Sequence, residues 1–330
     1  MTFAWSLFGG LISVGWLMCI PRLLLVPVLV SFLIFCSLEP ATGLLLMLLL
    51  QVFSFVQASV GTRKANHGVV QKRFMMVLFG GMVALFGQAL KGGALGSVLG
   101  IVGLLLMIPN GVSSFFLSRF YERLTLRAFM GAVLIPAFVA LELLFKLKSG
   151  MPQDLSEVWR AAMLGTGVVT ILSSGLMALL RLRFKSVVIF GSQVWIGISL
   201  LILASESSDR TELALAAVSI ATLSSAVLLG HARQLGSKHY DFARLAALAL
   251  PGTAGFAALH SCMGILMNMG VIWVCIAFLG FMLQVAALVL CKPQSPHLSN
   301  GRVRTGFWVA VVVQVAVGLG YFWVGTGGMK

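Results

Sequence analysis

The chain has 330 residues, of which 59% are hydrophobic and 10% are charged. A soluble domain averages about 25% charged residues, so the composition excludes an ordinary soluble protein. The formal net charge is +14, but the basic residues are spread through short connections between apolar runs. Such a distribution is typical of membrane topology and argues against a nucleic-acid-binding surface.

The apolar runs predict an all-α polytopic membrane protein with about twelve transmembrane helices, because each run can cross ~30 Å of hydrocarbon. Residues 1–330 form a single transmembrane domain, with N-terminal helices (1–40), a first half (41–146), a second half (147–291) and a C-terminal loop and helix (292–330). The predicted spans are residues 4–20, 23–38, 42–60, 73–91, 95–117, 129–146, 159–180, 186–204, 213–230, 245–268, 271–291 and 306–325.

Basic residues alternate between the two sides of this predicted topology. Alternate connections, starting after the first span, hold most of the lysines and arginines, including Arg73 and Lys185, whereas the opposite connections hold acidic residues such as Glu39 and Glu206. Cytoplasmic or matrix-side loops carry this basic excess in membrane proteins. We therefore expect both termini to face the outside, which is the periplasm or the intermembrane space.

Two predicted spans carry helix-breaking residues near their middle. Pro109 and Gly111 interrupt the fifth span, and Pro251, Gly252 and Gly255 interrupt the tenth. Broken helices inside a membrane are tolerated where protein or water satisfies the freed backbone groups, and in transporters they build a pathway at the midplane. The pattern therefore predicts two discontinuous helices.

Few ionisable residues fall within the predicted spans. Glu142 and Lys146 are four residues apart and are expected to form a snorkelling pair near the outer end of the sixth span. His260 lies deeper in its span, either as a packing residue or as a proton carrier. The cysteines form no C-x-x-C pair, and the histidines show no ligand spacing, so we expect no metal site. The glycine-rich stretches 79–87 and 92–100 fit close helix packing better than nucleotide binding.

Four stretches resemble the antiporter-like membrane subunits of respiratory complex I. ALLRLRFKSVVIFGSQVWIGISLLIL (178–203) resembles the basic hairpin and Ser/Gln-containing helix of that family, and ALALPGTAGFAALHSCMGIL (247–266) resembles its second broken helix. Residues 72–93 and 102–140 resemble the helix before the first break, the broken helix and the helix after it. The resemblance implies an antiporter-like fold with a shortened amino end, closest to subunit 2.

The family relays protons through one glutamate and several lysines. The matching positions in this chain read Gln51 for the glutamate, Met107 and Ala137 for two lysines, and Leu259 for the last lysine. A shift of one residue in the last comparison would put His260 in that place. The resemblance therefore implies either that the relay charges are lost or that histidine takes over one of them.

The resemblance implies a non-catalytic subunit of a proton-pumping NADH:quinone oxidoreductase in a mitochondrial inner membrane or a bacterial plasma membrane. NADH, FMN, iron–sulfur clusters and quinone would belong to other subunits, and the partners would be membrane-arm subunits and lipids. The subunit would either translocate protons or act mainly as a structural element. The alternatives are a free-standing secondary transporter, or a subunit of a related ion-pumping or inorganic-carbon-uptake complex. The candidate proton path consists of Gln51, Ser192, Gln193, Thr253 and His260.

Overall fold

The computed structural model describes residues 40–60, 67–90, 93–109, 129–149, 151, 153–206, 208–235, 237–291 and 301–327. All regular secondary structure within these ranges is helical. The predicted spans 4–20 and 23–38, and the predicted break residue Gly111, lie outside the described residues.

The α-helices of the described residues are numbered here in chain order. A π-helical turn, Met130–Leu134, precedes α4, and a short 3₁₀ turn, Gln153–Leu155, precedes α5. The α-helices are α1 Pro40–Val60, α2 His67–Ala89, α3 Ala94–Met107, α4 Ile135–Ser149, α5 Ser156–Leu180, α6 Phe184–Leu203, α7 Ser208–Leu235, α8 Ser237–Ala247, α9 Ala254–Met269, α10 Val271–Leu290 and α11 Gly301–Gly327.

Four of the described helical segments are long and apolar enough to cross a membrane. They are Ser156–Leu180, Phe184–Leu203, Arg210–Arg233 and Val271–Leu290, which correspond to α5, α6, most of α7 and α10. The described helices overlap the predicted spans from 42–60 onward. The structure therefore confirms an all-helical membrane protein, and the number of spans stays a prediction.

Helix α6 lies at the centre of the bundle. It packs against α4, α5, α7, α9 and α10, and almost every residue along it is buried. A helix that is apolar all round has no solvent face and is expected in the interior. In contrast, α5 and α10 bury only one face each, because their other faces lie at the surface of the described bundle. α6 therefore forms the core around which the polar residues described below are placed.

Helix α4 joins the first group of helices to this core. It packs against α1 and α3 on one side and against α6 and α7 on the other. Pro136 lies in its first turn, and proline crowds the preceding turn and offers no N–H. The wide π-turn Met130–Leu134 stands directly before it, a conformation that accommodates such a local disturbance.

Glycines allow α2 and α3 to pack backbone against backbone. A Cβ added to Gly80 would lie 2.7 Å from the carbonyl oxygen of Gly103, and one added to Gly87 would lie 2.5 Å from that of Gly96. Small residues at such crossings let membrane helices approach closely. The glycine-rich stretches thus serve helix packing, as the sequence predicts.

We expect Gly87→Val to push α2 and α3 apart and to lower stability by about 1–3 kcal/mol, the usual cost of overpacking. The matched control is Gly165→Val, because a Cβ at Gly165 meets nothing within 4 Å. Thermal unfolding of the full chain in detergent or nanodiscs measures both variants. Equal midpoints for the two variants would contradict the close packing described here.

Candidate functional site

The chain leaves helical geometry between α8 and α9, at residues 248–253. Ala249 has φ 55° and Gly252 has φ 85°, and positive φ is strained for alanine but ordinary for glycine. Gly255 lets this segment fold back on α9, since a Cβ there would lie 3.2 Å from the Cα of Ala249. Pro251 is exposed at the turn. The predicted break residues of this span, Pro251, Gly252 and Gly255, therefore lie at or beside a non-helical segment.

Thr253 caps the first turn of α9. Its hydroxyl oxygen accepts a hydrogen bond from the backbone N–H of Phe256 at 3.3 Å, and its O–H donates to the carbonyl of Leu250 at 2.7 Å. An N-cap threonine satisfies one of the free N–H groups at a helix start. The sequence analysis assigns Thr253 to a proton path; in the structure, its side chain caps the start of α9.

Gln314 of α11 satisfies a second free group at the start of α9. Its Oε1 accepts from the backbone N–H of Ala254 at 3.1 Å. Its Nε2 lies 2.8 Å from the hydroxyls of Ser224 and Ser225 and 3.3 Å from the carbonyl of Ala221. One buried amide therefore connects α7, α9 and α11.

Gly318 lies one turn beyond Gln314 and brings α11 directly against the non-helical segment. A Cβ added there would lie 2.5 Å from the carbonyl carbon of Gly252 and 2.7 Å from that of Thr253. The close approach places the carbonyl groups of Gly252 and Thr253 against α11, whereas Leu250 and Pro251 are exposed. Protein thus covers part of the segment, where lipid could not hydrogen-bond to the backbone.

A small polar cavity lies between α6, α7 and α10. Its volume is about 20 Å³ and its polar lining consists of Ser192, Thr222, Ser225 and Gln284. A buried water needs at least ~10–15 Å³ and two to four polar partners, so the cavity suits one water molecule. The Oε1 of Gln284 has no hydrogen-bond partner among the described residues and is available to such a water.

The side chains of Ser192 and Gln193 lie on different sides of α6. The hydroxyl of Ser192 donates to the carbonyl of Val188 at 2.8 Å and borders the cavity. The Oε1 of Gln193 accepts from the hydroxyl of Ser174 on α5 at 3.3 Å, while its Nε2 has no partner in the described part of the chain. These groups are neutral, and they bind water or one another without taking up net charge.

The positions that match the family's relay charges are mostly packed into the interior. Gln51 is 4% exposed, Met107 1% and Ala137 0%, and Leu259 is half-buried. The Nε2 of Gln51 has no partner among the described residues. None of these four side chains ionises, so the positions hold no proton-exchanging group.

His260 lies on the outer face of the described bundle. Its side chain is exposed, and its ring stacks on Phe256 with centroids 6.0 Å apart. Gly264, one turn further on the same face, has open space beside it. The structure thus places Ser192 and Gln193 at the core and Thr253 beside α11, whereas it does not bring His260 or Gln51 together with them.

At the first predicted break, Arg73 satisfies the end of α3. The helix ends at Met107, Ile108 is extended, and Pro109 is buried. The Arg73 guanidinium donates to the carbonyl of Met107 at 2.7 Å and to that of Leu106 at 3.3 Å. The last carbonyls of a helix have no partner within the helix, and here a buried arginine supplies one.

Arg73, which the sequence analysis counts with the inside connection at the start of the fourth span, is therefore a helix residue, and its side of the membrane stays a prediction. It lies in α2 and is buried, because it belongs to the face that packs on α3. The spacing of residues in the sequence indicates this burial. Arg73, Val77, Gly80 and Ala84 follow the i, i+4, i+7, i+11 pattern of one helix face.

Gln314 was recognisable only in part from the sequence. It is the single polar side chain between Trp308 and Leu319, and a buried amide in such a setting needs hydrogen-bond partners. The partners themselves lie about 60 and 90 positions earlier in the chain, and no local pattern identifies them.

No protein-family model matches the sequence, and no curated protein matches it. Several solved structures, in contrast, match this chain. A chain of the membrane-bound sulfane sulfur reductase, an archaeal respiratory membrane complex, has a TM-score of 0.81 at 12% identity, over 96% of this chain and 64% of that chain. A chain of the Mrp complex from a Dietzia species has a TM-score of 0.76 at 12% identity, over 98% and 80%. A chain of respiratory complex I from Thermus thermophilus has a TM-score of 0.73 at 14% identity, over 96% and 79%.

At sequence identities of 12–14%, these similarities show the fold alone. At the level of the fold, they confirm the predicted resemblance to antiporter-like membrane subunits. The chain spans 64% of the length of the sulfane sulfur reductase chain that it matches.

We expect Gln314→Leu to lower stability, because it leaves the N–H of Ala254 buried without a partner at a cost of about 1–3 kcal/mol. Gln71→Leu is the matched control, since Gln71 is exposed. The unfolding midpoint of the full chain in nanodiscs is the measurement. An unchanged midpoint for Gln314→Leu would show that the start of α9 does not depend on this amide.

We expect Arg73→Met to destabilise the end of α3, since a hydrogen bond from a charged group contributes about 1.5–3 kcal/mol. Lys72→Met changes an exposed neighbour and controls for the lost charge. Arg73→Lys should be intermediate, because lysine lacks the planar fork that reaches both carbonyls. Protease accessibility near Pro109 and the unfolding midpoint report the effect, and equal behaviour of the Met variants at positions 72 and 73 would contradict it.

Proposed function

We propose that this protein is an antiporter-like membrane-arm subunit of a respiratory complex of the NADH:quinone oxidoreductase type, in which it acts mainly as a structural subunit. The fold likeness to chains of large respiratory membrane complexes supports a role as one subunit among several. The subunit 2 type is the sequence-based prediction for its place in such a complex.

The observation that carries the structural role is the state of the matched relay positions. Met107 and Ala137 are packed and apolar, and the glutamine at position 51 cannot gain or lose a proton near neutral pH. A relay needs groups that change protonation state in the working range of pH. Without such groups, the four described positions 51, 107, 137 and 259 do not exchange protons as the matching positions of the family do.

The broken helices also fit a subunit that does not conduct protons. The hydrogen bonds of Gln314 join α7, α9 and α11, and the cavity between α6, α7 and α10 has room for a water among neutral groups. A bundle joined in this way can hold neighbouring pumping subunits at a set spacing. The outward position of His260 places it where it would meet lipid or a neighbouring subunit.

The partners in this proposal are other membrane-arm subunits and lipids, with both termini on the outer side of an energy-transducing inner membrane. NADH, FMN, iron–sulfur clusters and quinone would be held by other subunits. Within the described residues, no group of three or more His, Cys, Asp or Glu side chains is placed to hold a metal ion.

A related ion-translocating assembly is the second candidate. It is favoured by the fold likeness to a chain of the Mrp complex, which is comparable to the likeness to complex I. A free-standing solute transporter is the remaining alternative; the polar cavity of about 20 Å³ between α6, α7 and α10 has room for a water molecule and not for a solute, so this cavity does not support it.

The proposal predicts co-migration with other membrane-arm subunits in native electrophoresis after mild-detergent extraction, followed by mass spectrometry of the band. NADH dehydrogenase activity in that band would select the complex I type over the related assemblies. Migration of the chain alone would remove the subunit role.

Within the isolated complex, His260→Ala and Gln51→Leu are expected to leave the number of protons pumped per electron unchanged. The ratio is measured in proteoliposomes during NADH oxidation. A lower ratio for either variant, with assembly intact, would replace the structural role by proton conduction through that residue.

A further inference from the structure

Glu142 is a buried acid that the proposed structural role does not use. It lies on α4 and is 6% exposed, and Glu142 and Arg73 are the buried Asp, Glu, Lys and Arg side chains of the described residues. Its Oε2 has no hydrogen-bond partner among the described residues. A buried carboxylate without full pairing is costly, so this position calls for a function.

The sequence-based interpretation of Glu142 and Lys146 as a snorkelling interfacial pair is wrong for the glutamate. Lys146 is half-buried, but Glu142 is buried, because α6 and α7 cover this side of α4. The acid therefore lies inside the bundle, one helical turn deeper than its lysine.

Two charged groups interact with Glu142: Lys146 on its own helix and Glu212 in the second turn of α7. Among the described side chains, the other elements packed on α4 bring no further charge to this level; the side chain of Asp209, in the first turn of α7, lies outside the described residues. α1, α3 and the π-turn contain no ionisable residue, and the lysine of α6, Lys185, lies at the opposite end of that helix. On α7, Arg210 is exposed, while His231 and Arg233 lie in the last turns.

Lys148, two residues beyond Lys146, is engaged elsewhere. Its ammonium donates to the backbone carbonyl of Ser205, two residues beyond the end of α6, near Glu206. One lysine, Lys146, is thus set against two carboxylates, Glu142 and Glu212. With all three ionised the group carries one net negative charge, and binding of one proton makes it neutral. Like-charged carboxylates that share a site favour such proton sharing.

We propose that Glu142, together with Lys146 and Glu212, forms a proton-binding site at the end of the bundle where α4 and α6 end and α7 begins. It is separate from the family's relay position on the same helix, Ala137, which lies five residues earlier. The described interior beyond it offers no ionisable acceptor at Ala137 or Met107. The site therefore exchanges its proton with one side of the membrane and does not relay it.

A hydrophobic carbodiimide tests this site, because it adds covalently to protonated carboxyl groups in apolar surroundings and forms a stable N-acylurea without any further reactant. Membranes containing the full complex are treated with dicyclohexylcarbodiimide, and the modified peptide is identified by mass spectrometry. We expect modification of Glu142 and its loss in Glu142→Gln. Glu157, an exposed acid at the start of α5, is the matched control and should stay unmodified.

Two charge variants test whether labelling of Glu142 reports its protonation or only its accessibility to the reagent. At a fixed pH, Lys146→Met removes the cation that favours the ionised form and should increase modification of Glu142. Glu212→Gln removes the competing carboxylate and should decrease it. This order would not arise from a purely structural glutamate. Glu142→Asp keeps a carboxyl group and should retain labelling if Glu142→Gln fails to assemble.

Absence of labelling at Glu142 in the assembled wild type, equal labelling of Glu157, or an unchanged level in Lys146→Met would each overturn the proposal. The readout is chemical and does not depend on the pumping ratio. Its failure would therefore leave the proposed structural role untouched.

Discussion

The fold depends on one constraint: in hydrocarbon, every backbone N–H and C=O needs a partner within the protein. A continuous helix meets this requirement except at its ends. In this protein, side chains from other helices supply the missing partners. Arg73 donates to the end of α3, Trp159 donates to the Leu203 carbonyl at the end of α6 at 3.1 Å, and Arg244 donates to the Val289 carbonyl near the end of α10 at 2.5 Å. Gln314 does the same for the start of α9.

These contacts explain how breaks in helices can persist when relay charges are absent. The segment between α8 and α9 is held by Thr253, by Gln314 and by the close approach of Gly318, and none of these needs an ionised group. Break geometry and proton chemistry are therefore separable properties. The geometry of the break positions the helices without proton-exchanging groups, and apolar side chains such as Met107 and Ala137 avoid the cost of a buried charge.

The sequence was most informative where the signal is local. Apolar runs predicted the helices, and the glycines of α2 and α3 predicted close packing, because both depend on neighbouring residues of one helix. It was least informative for polar side chains. The sequence places Arg73 at the start of a span and Glu142 near the end of one, but both side chains are buried, since a position near a helix end does not show which neighbouring helix covers it. The position of His260 in its span shows how far along the helix it lies but not which way the side chain points, and in the structure the side chain is exposed.

The sequence by itself determined the membrane environment, the all-helical class and the uncharged state of positions 51, 107, 137 and 259, because composition and residue identity do not depend on how helices pack. Only the tertiary structure decided which polar groups meet: that Gln314 reaches Ala254, that Ser192 and Gln284 share a cavity, and that Glu142 is enclosed by α6 and α7. The physical reason is that these partners are far apart in the chain, so their contact is set by helix packing, in which one face of each helix is chosen over the others.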